Sequence, residues 1–404
     1  MPPPMAKVFL KPRRARPFWF GHPWIFSGAI GRVKGQLKNG CVTEVFDSEG
    51  RRIGEGFWNE NSQIRVRLVA LEAERPLDID LLVKRIDRAI ALRHDVLALP
   101  ARTNAYRLVH AESDGLPGLV VDRIGDWLVV QLSALGMVPF LDLLLDHLEE
   151  RLAPRGIVER ASGAAEEEGL EREEGVLRGH APGGPVEVEE DGVRFLCDPV
   201  TGQKTGFFSD QRENRRALSP LAKDRDVLDA FSYVGGFGLA MANAGAKSVR
   251  CVDSSEPALE LLQRGIELND VADRVTADKG NVLRVLDHDR KDGRTYDLVV
   301  LDPPKLVRKR SGLERGLGLY YEINLKAVRV LRPGGVLVTC SCSQHVTEEV
   351  FDEMLGSVAK EAEVRLQQIH RGGQAPDHPI LLPHDEGRYL QCSAFRVLPQ
   401  GRDA

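Results

Sequence analysis

From about residue 225 to the end, short apolar runs of strand length alternate with segments whose apolar residues recur at helical spacing. That alternation is the signature of a doubly wound α/β sheet, and it constrains the fold more than any other feature. Val227–Ala230, Ser248–Val252, Arg274–Thr276, Leu298–Leu301 and Val336–Thr339 are the expected strands. Gly238–Ala244, Pro257–Asn269 and Glu322–Val330 are the expected helices, and the alternating end Tyr389–Leu398 is expected to close the sheet as an edge hairpin. A chain of 404 residues is longer than one such domain needs, so further domains are expected before it.

Residues 1–74 show short apolar runs cut by glycine, with the alternation Gln63-Ile64-Arg65-Val66-Arg67-Leu68, and read as a small β-domain. Residues 75–195 read as a central α+β domain. Its helices are expected over Asp78–Leu97 and Pro139–Arg151, and its strands over Leu119–Val121, Trp127–Leu132 and Ile157–Glu159. The stretch 161–185, rich in Glu and Gly, is expected as an exposed, mobile acidic loop. Residues 196–404 then form the Rossmann-like α/β domain.

The net charge of −5 is unevenly spread. Residues 1–40 hold eight Lys or Arg and no acid, whereas 159–191 hold eleven Asp or Glu against three Arg. A basic end on an acidic chain suits a phosphate-binding face, whose affinity for RNA would fall steeply with salt. Phe18, Trp19, Phe20, Trp24 and Phe26 lie among these cations. They are read mainly as filling for a small β-domain, with stacking on bases as the alternative. No apolar run approaches the roughly 18–20 residues of a membrane-spanning helix, and the N-terminus lacks an apolar signal region. Six scattered cysteines without a CxxC pair argue against a disulfide scaffold and a zinc ribbon, so a reducing cytoplasm is expected, with no metal.

In a doubly wound sheet, ligands bind beyond the carboxyl ends of the strands. The first strand ends in Asp229-Ala230-Phe231-Ser232-Tyr233-Val234-Gly235-Gly236-Phe237-Gly238, where glycine lets backbone approach a ligand. The second ends at Asp253, seventeen residues after Gly236, where an acid can accept bonds from both ribose hydroxyls. The pyrophosphate fingerprint GxGxxG is absent, and Asp229 suits a cationic ammonium, which S-adenosylmethionine has and NAD lacks. The fourth strand ends in Asp302-Pro303-Pro304-Lys305, a loop stiffened by two prolines. The fifth ends in Thr339-Cys340-Ser341-Cys342-Ser343. Cys340 ends the apolar run, while Cys342 lies past it, where a thiol can meet a substrate. Cys41, Cys197, Cys251 and Cys392 read as small core residues.

At these motifs the chain resembles the class I S-adenosylmethionine-dependent methyltransferases, and more narrowly the bacterial 23S ribosomal RNA cytosine-5 methyltransferase family. HPWIFSGAI resembles the opening of that family's N-terminal PUA domain, an RNA-binding β-barrel. RLVHAESDGLPGLVVDRIGDWLVVQ resembles its middle domain, and TGQKTGFFSDQRENR its lead-in to the catalytic domain. LDAFSYVGGFG, LDPPK and SCS complete the likeness. The resemblance implies that Asp229, Gly235 and Gly236 hold the methionine end of S-adenosylmethionine and Asp253 its ribose. Asn281 stands where relatives often carry an acid that binds the adenine amine. Phe208 and Gln211 would line the cofactor or base pocket, Asp302 would contact the target cytosine, and Cys342 would be the nucleophile. Ribosomal RNA is the implied partner, and relatives imply a homodimer.

Cytosine C5 is a poor nucleophile, and a thiolate adding to C6 makes it enamine-like, which splits one hard step into easier ones. Many relatives outside this branch carry Pro-Cys in the fourth-strand loop, a second cysteine that assists product release. Here the pair is Pro303-Pro304. Methylation of an exocyclic base amine is the competing enzyme reading, but such sites commonly place an aromatic where this chain has Lys305. A cofactor-binding RNA module without catalysis, and a nicotinamide dehydrogenase, are the remaining alternatives.

Overall fold

The computed structural model describes residues 5–74, 76–202 and 205–400. The chain divides into two compact units and crosses between them repeatedly. The first comprises 1–184, 198–207 and 376–387; the second comprises 185–197, 208–375 and 388–404.

The first unit begins with a six-stranded sheet in the order Trp24–Phe26, Ile64–Leu71, Arg52–Trp58, Val42–Phe46, Lys7–Leu10, Ile30–Lys34. Neighbours are antiparallel except Lys7–Leu10 against Val42–Phe46. Val8, Leu10, Ile25, Val45, Ile53, Val66 and Leu68 fill its interior. The alternation at 63–68 puts Arg67 on the face opposite Val66, yet Arg67 is also buried, because Glu112 and Glu168 close over its guanidinium. The expectation that the N-terminal aromatics fill the core is overturned. Phe18 is buried, but Trp19, Phe20 and Phe26 are 44%, 67% and 42% exposed. The one short helix there, Arg16–Trp19, has a single inward face and gives it to Phe18.

A second sheet in this unit runs Gly175–Gly179, Gly156–Glu159, Trp127–Leu132, Leu119–Ile124, Ala105–His110. Helices Ile79–Ala91 and Leu141–Leu152 bury their apolar stripes, Leu82 and Ile86 with Leu144 and Leu148, in its core. The acidic stretch 161–185 is not a bare loop. It carries a short helix, Gly163–Glu167, and its strand Gly175–Gly179 pairs antiparallel with Gly156–Glu159. Its Glu168 is buried because it is fully used: it accepts from Ser62 Oγ (2.6 Å), Asn59 Nδ2 (2.9 Å) and Arg67 Nη2 (2.8 Å). Arg93, 0% exposed, is likewise saturated. It donates to the Arg107 carbonyl (2.9 Å), to Asp114 (2.8 Å) and to the Asp377 carbonyl (2.6 Å), and the last belongs to the late segment 376–387. In the same segment His384 packs edge-on against Trp24, with ring centroids 4.3 Å apart.

The second unit is built on a seven-stranded sheet. In chain order its strands are β1 Asp226–Ala230, β2 Ser248–Asp253, β3 Val275–Lys279, β4 Tyr296–Leu301, β5 Leu331–Ser341, β6 Val364–Gly372 and β7 Gln391–Pro399. Their spatial order is β3-β2-β1-β4-β5-β7-β6, parallel from β3 to β5, with β7 antiparallel to both β5 and β6. The order reverses direction at β1/β4, so the loops after those strands open the crevice in which such sheets bind ligands. Helix Gly236–Asn243 follows β1, Glu256–Leu268 follows β2 and Leu313–Val328 leads into β5. The hairpin Val186–Glu190/Val193–Cys197 belongs to this unit, and Asn269 pins it by exchanging bonds with the Arg194 backbone (2.6 and 2.9 Å). The Pro333-Gly334-Gly335 turn lies inside β5, where the register to β4 shifts, so the strand is longer than its apolar run. No helix among the described residues is long and apolar enough to cross a membrane.

Candidate active site

The loop after β1 is built from conformations that ordinary residues avoid. Phe231, Tyr233 and Gly235 all have positive φ, at 65°, 49° and 84°. For the two non-glycines this costs on the order of 1–3 kcal/mol each, a strain that folded chains concentrate at functional sites. The turn is held by Ser232 N–H to the Val252 carbonyl (3.0 Å), Tyr233 N–H to Asp253 Oδ2 (2.9 Å) and Gly235 N–H to the Ser232 carbonyl (2.8 Å). Gly238 is required for a different reason. A Cβ there would lie 2.4 Å from Cys251 Sγ, so only glycine lets the helix start this close to β2.

Asp229 sits beneath this turn, 1% exposed. Its Oδ2 accepts the Gly238 N–H at 2.7 Å. Burial pushes its pKa up to about 8, against the Gly238 bond, with the charges of Asp302 and Asp253 adding to the rise and Arg215 opposing it. A buried carboxylate so disfavoured as an anion is a place for a cationic ligand. Asp253 Oδ1 also takes the Ser255 N–H (2.8 Å), which leaves the carboxylate fixed at the end of β2. Ser232 Oγ is buried with no hydrogen-bond partner among the described residues. Together these groups fit the ammonium and polar atoms of S-adenosylmethionine.

Asn281 is exposed, and its side-chain oxygen caps the helix Val282–Lys291 by accepting from Arg284 N–H (3.2 Å). It remains close to the Asp253 loop, since the preceding Gly280 N–H bonds the Asp253 carbonyl at 2.9 Å. Phe208 and Gln211 reach both neighbouring loops. The Phe208 ring meets Tyr233 edge-on at 5.2 Å, and Gln211 Nε2 donates to Asp302 Oδ1 at 3.1 Å. Gln203 and Lys204, in the same motif, lie outside the described residues.

Asp302 joins the cofactor side of the crevice to the thiol side. Its N–H points to the Ala230 carbonyl (3.5 Å). The carbonyl of its neighbour, Pro303, lies 3.9 Å from Cys342 Sγ. Cys342 is partly exposed, whereas Cys340, two residues earlier, is 0% exposed and faces Cys392 across the β5/β7 ladder. Burial, reinforced by Cys392, pushes the Cys340 thiol well above its ordinary range, so it stays protonated. Cys197, Cys251 and Cys392 are buried as expected of core thiols, and Cys41 is half-buried.

Two parts of the site were not read from the sequence. Tyr320, 0% exposed on the helix before β5, hydrogen-bonds Ser341 Oγ (3.0 Å) and Ser343 Oγ (3.1 Å), the two residues that flank Cys342. Burial pushes its pKa up to about 12, so it remains a neutral phenol. Tyr320→Phe would remove the phenol partner of two buried serine hydroxyls, leaving each only a backbone N–H, and it is expected to lower the unfolding free energy by about 1–3 kcal/mol. An unchanged denaturation midpoint would show that the hydroxyl bridge contributes nothing. The other part is the buried pair Arg215–Glu190, bidentate at 2.7 Å for each bond. Arg215 also donates to the Phe208 carbonyl (3.0 Å), and its Nη1 would be 3.3 Å from a Cβ at Gly236, so it backs the glycine turn. Tyr320 lies in no motif quoted above; Arg215 ends the TGQKTGFFSDQRENR segment, but nothing in that segment points to Glu190 as its partner.

The chain is similar to known proteins over most of its length. Residues 8–70 match a PUA-like domain family, and residues 177–390 match an S-adenosylmethionine-dependent methyltransferase family. The ribosomal RNA large subunit methyltransferase I of Erwinia tasmaniensis is 36% identical over 395 residues, covering 97% of this chain and 100% of that protein. Its counterpart in Shewanella denitrificans is 38% identical over 394 residues, covering 97% and 99%. Among solved structures, a Streptococcus mutans protein described as a SAM-dependent methyltransferase superposes with a TM-score of 0.83 at 17% identity, over 97% of this chain and 100% of that one. A SAM-dependent methyltransferase from Agrobacterium tumefaciens gives 0.52 at 19% identity, over 73% and 90%. The Rossmann-like fold and the PUA-like domain expected from the sequence are therefore present, and S-adenosylmethionine is the cofactor. The chain belongs to the S-adenosylmethionine-dependent methyltransferase family that includes the ribosomal RNA large subunit methyltransferase I proteins.

Proposed function

We propose that this protein methylates C5 of a cytosine in large-subunit (23S) ribosomal RNA through a covalent bond between Cys342 Sγ and C6 of the base. The observation that carries the reading is the pairing of Cys342 Sγ with the Pro303 carbonyl at 3.9 Å, beside Asp302, while Cys340 is sealed in the sheet. The names of its full-length relatives supply the RNA. Asp229, Gly235, Gly236 and Asp253 would hold the cofactor, with Asn281, Phe208 and Gln211 at its edges. When bound, S-adenosylmethionine supplies a methyl group as an electrophile and leaves as a neutral thioether.

The chain's own residues do the rest. The Cys342 thiolate forms a C–S bond to C6, and the ring electrons shift toward N3. Asp302, held by Gln211, stabilises that charge through a proton shared with N3. C5 is then enamine-like and takes the methyl. Loss of the C5 proton to a base and of Cys342 from C6 restores the aromatic ring. Pro304 stands in the loop where a second thiol would otherwise assist release. The target base must leave any stack to reach the loops after β4 and β5, and an unpaired or extruded nucleotide meets that need.

The test is mass-spectrometric and bisulfite mapping of ribosomal RNA from cells lacking the gene. One 5-methylcytosine of the large-subunit RNA should disappear and return with the wild-type gene. Loss of an N-methylated base instead would transfer the reading to an exocyclic amine.

A further inference from the structure

We propose that the segment Lys305–Arg315, which is the loop after β4 and the first turn of the helix Leu313–Val328, is a phosphate clamp that grips the substrate RNA on either side of the target nucleotide; this rests on the ribosomal RNA reading above. Lys305, Arg308, Lys309, Arg310 and Arg315 are all exposed, and Glu314 is the only acid in the stretch. None of the five cations forms an ion pair among the described residues, unlike Arg215, Arg250, Arg332 and Arg371 of the same unit, which are matched to carboxylates. Unmatched cations so densely placed suit a polyanion better than a solvated surface.

The loop is held in place. Val307, two residues after Lys305, is 0% exposed, and its N–H donates to Ser343 Oγ at 3.1 Å, next to Cys342. A Cβ at Gly316 would come within 2.2 Å of the Val307 methyl, so the helix that follows is notched to receive it. At its other end the loop starts from Pro303, whose carbonyl meets Cys342 Sγ. Arg308–Arg310 follow the anchored Val307 by one to three residues, a reach of at most about 11 Å, so they stand within the span of the nucleotides flanking a base at the thiol. The crevice itself supplies the need for them. Asp253 and Asp302 place carboxylates where a polyanion must come close, and the loop's cations offset that repulsion.

The charge-removing triple variant Arg308→Gln/Lys309→Gln/Arg310→Gln tests this, with the charge-preserving Arg308→Lys/Lys309→Arg/Arg310→Lys alongside. Affinity of the full-length protein for a fragment of large-subunit ribosomal RNA is measured by fluorescence anisotropy across a salt series, and S-adenosylmethionine binding by calorimetry. The glutamine variant should bind RNA about 10- to 100-fold more weakly, and its log–log salt slope should be shallower by about 2, since each single-strand phosphate contact adds about 0.7. The charge-preserving variant should behave as the parent, and cofactor binding should be the same in all three. An unchanged Kd and salt slope in the glutamine variant would overturn the clamp. Parent protein that binds the RNA through this loop yet methylates no cytosine would leave the clamp standing and remove the function it serves.

Discussion

Cys342→Ala is expected to lower methyl transfer by at least about 10⁴-fold while leaving the affinity for S-adenosylmethionine unchanged. On the proposed mechanism C5 would not become nucleophilic without the thiolate, and removal of a covalent nucleophile ordinarily costs that much or more. Cys340→Ala should retain most activity, because its thiol is sealed between β5 and β7 and held protonated by burial. That variant should show only the modest destabilisation of a trimmed core residue. RNA carrying 5-fluorocytosine at the target gives a second readout, since fluorine cannot leave C5 as the proton does. The parent should form an adduct that survives denaturing electrophoresis, and Cys342→Ala should form none. Full activity in Cys342→Ala together with its loss in Cys340→Ala would mean that the other thiol of the pair is the nucleophile.

The second large effect concerns Asp229, and it has opposite signs for stability and for binding. With a folded pKa of about 8 against an ordinary carboxylate value of 3.8, the folded protein holds a proton that the unfolded chain releases. A pKa raised on folding contributes stability that is complete below about pH 4 and is lost as pH rises to about 8. The loss is on the order of 5 kcal/mol. Asp229→Asn keeps an oxygen for the Gly238 N–H and removes the titration. Ligand-free Asp229→Asn should therefore melt higher than the parent at pH 8, with the gap closing toward pH 4. It should bind S-adenosylmethionine at least about tenfold more weakly, because the charge-assisted bond to the ammonium proposed for Asp229 would be lost. Parallel pH–melting curves for the two proteins would remove Asp229 as the source of the pH dependence.

The parts of this fold that could be read from the sequence are those whose burial leaves an apolar trace. β1, β2, β4 and the middle of β5 are packed on both faces and appear as Val- and Leu-rich runs. β6, Val364–Gly372, was missed because it is an edge strand with mostly exposed polar side chains. The helix Val282–Lys291 was missed because only Val282, Leu286 and Asp289 are buried in it. Asn281, read in the sequence only as standing where relatives bind the adenine amine, serves as its N-cap. The site divides in the same way. Asp229, Asp253, Asp302 and Cys342 stand at strand ends, where position alone suggests chemistry. Tyr320 and the Arg215–Glu190 pair act through contacts between residues far apart in the chain, and no local pattern announces such partners.

The return of residues 376–387 to the first unit sets a timetable for synthesis. Arg93 finds one of its carbonyl acceptors at Asp377, and Trp24 meets its ring partner at His384. A nascent chain emerging from the ribosome has made its PUA-like sheet long before either partner exists. Until residues 376–387 have been made, the Arg93 guanidinium lacks part of its hydrogen bonding, so the native first unit is completed only after β1 to β6 of the second unit have been made.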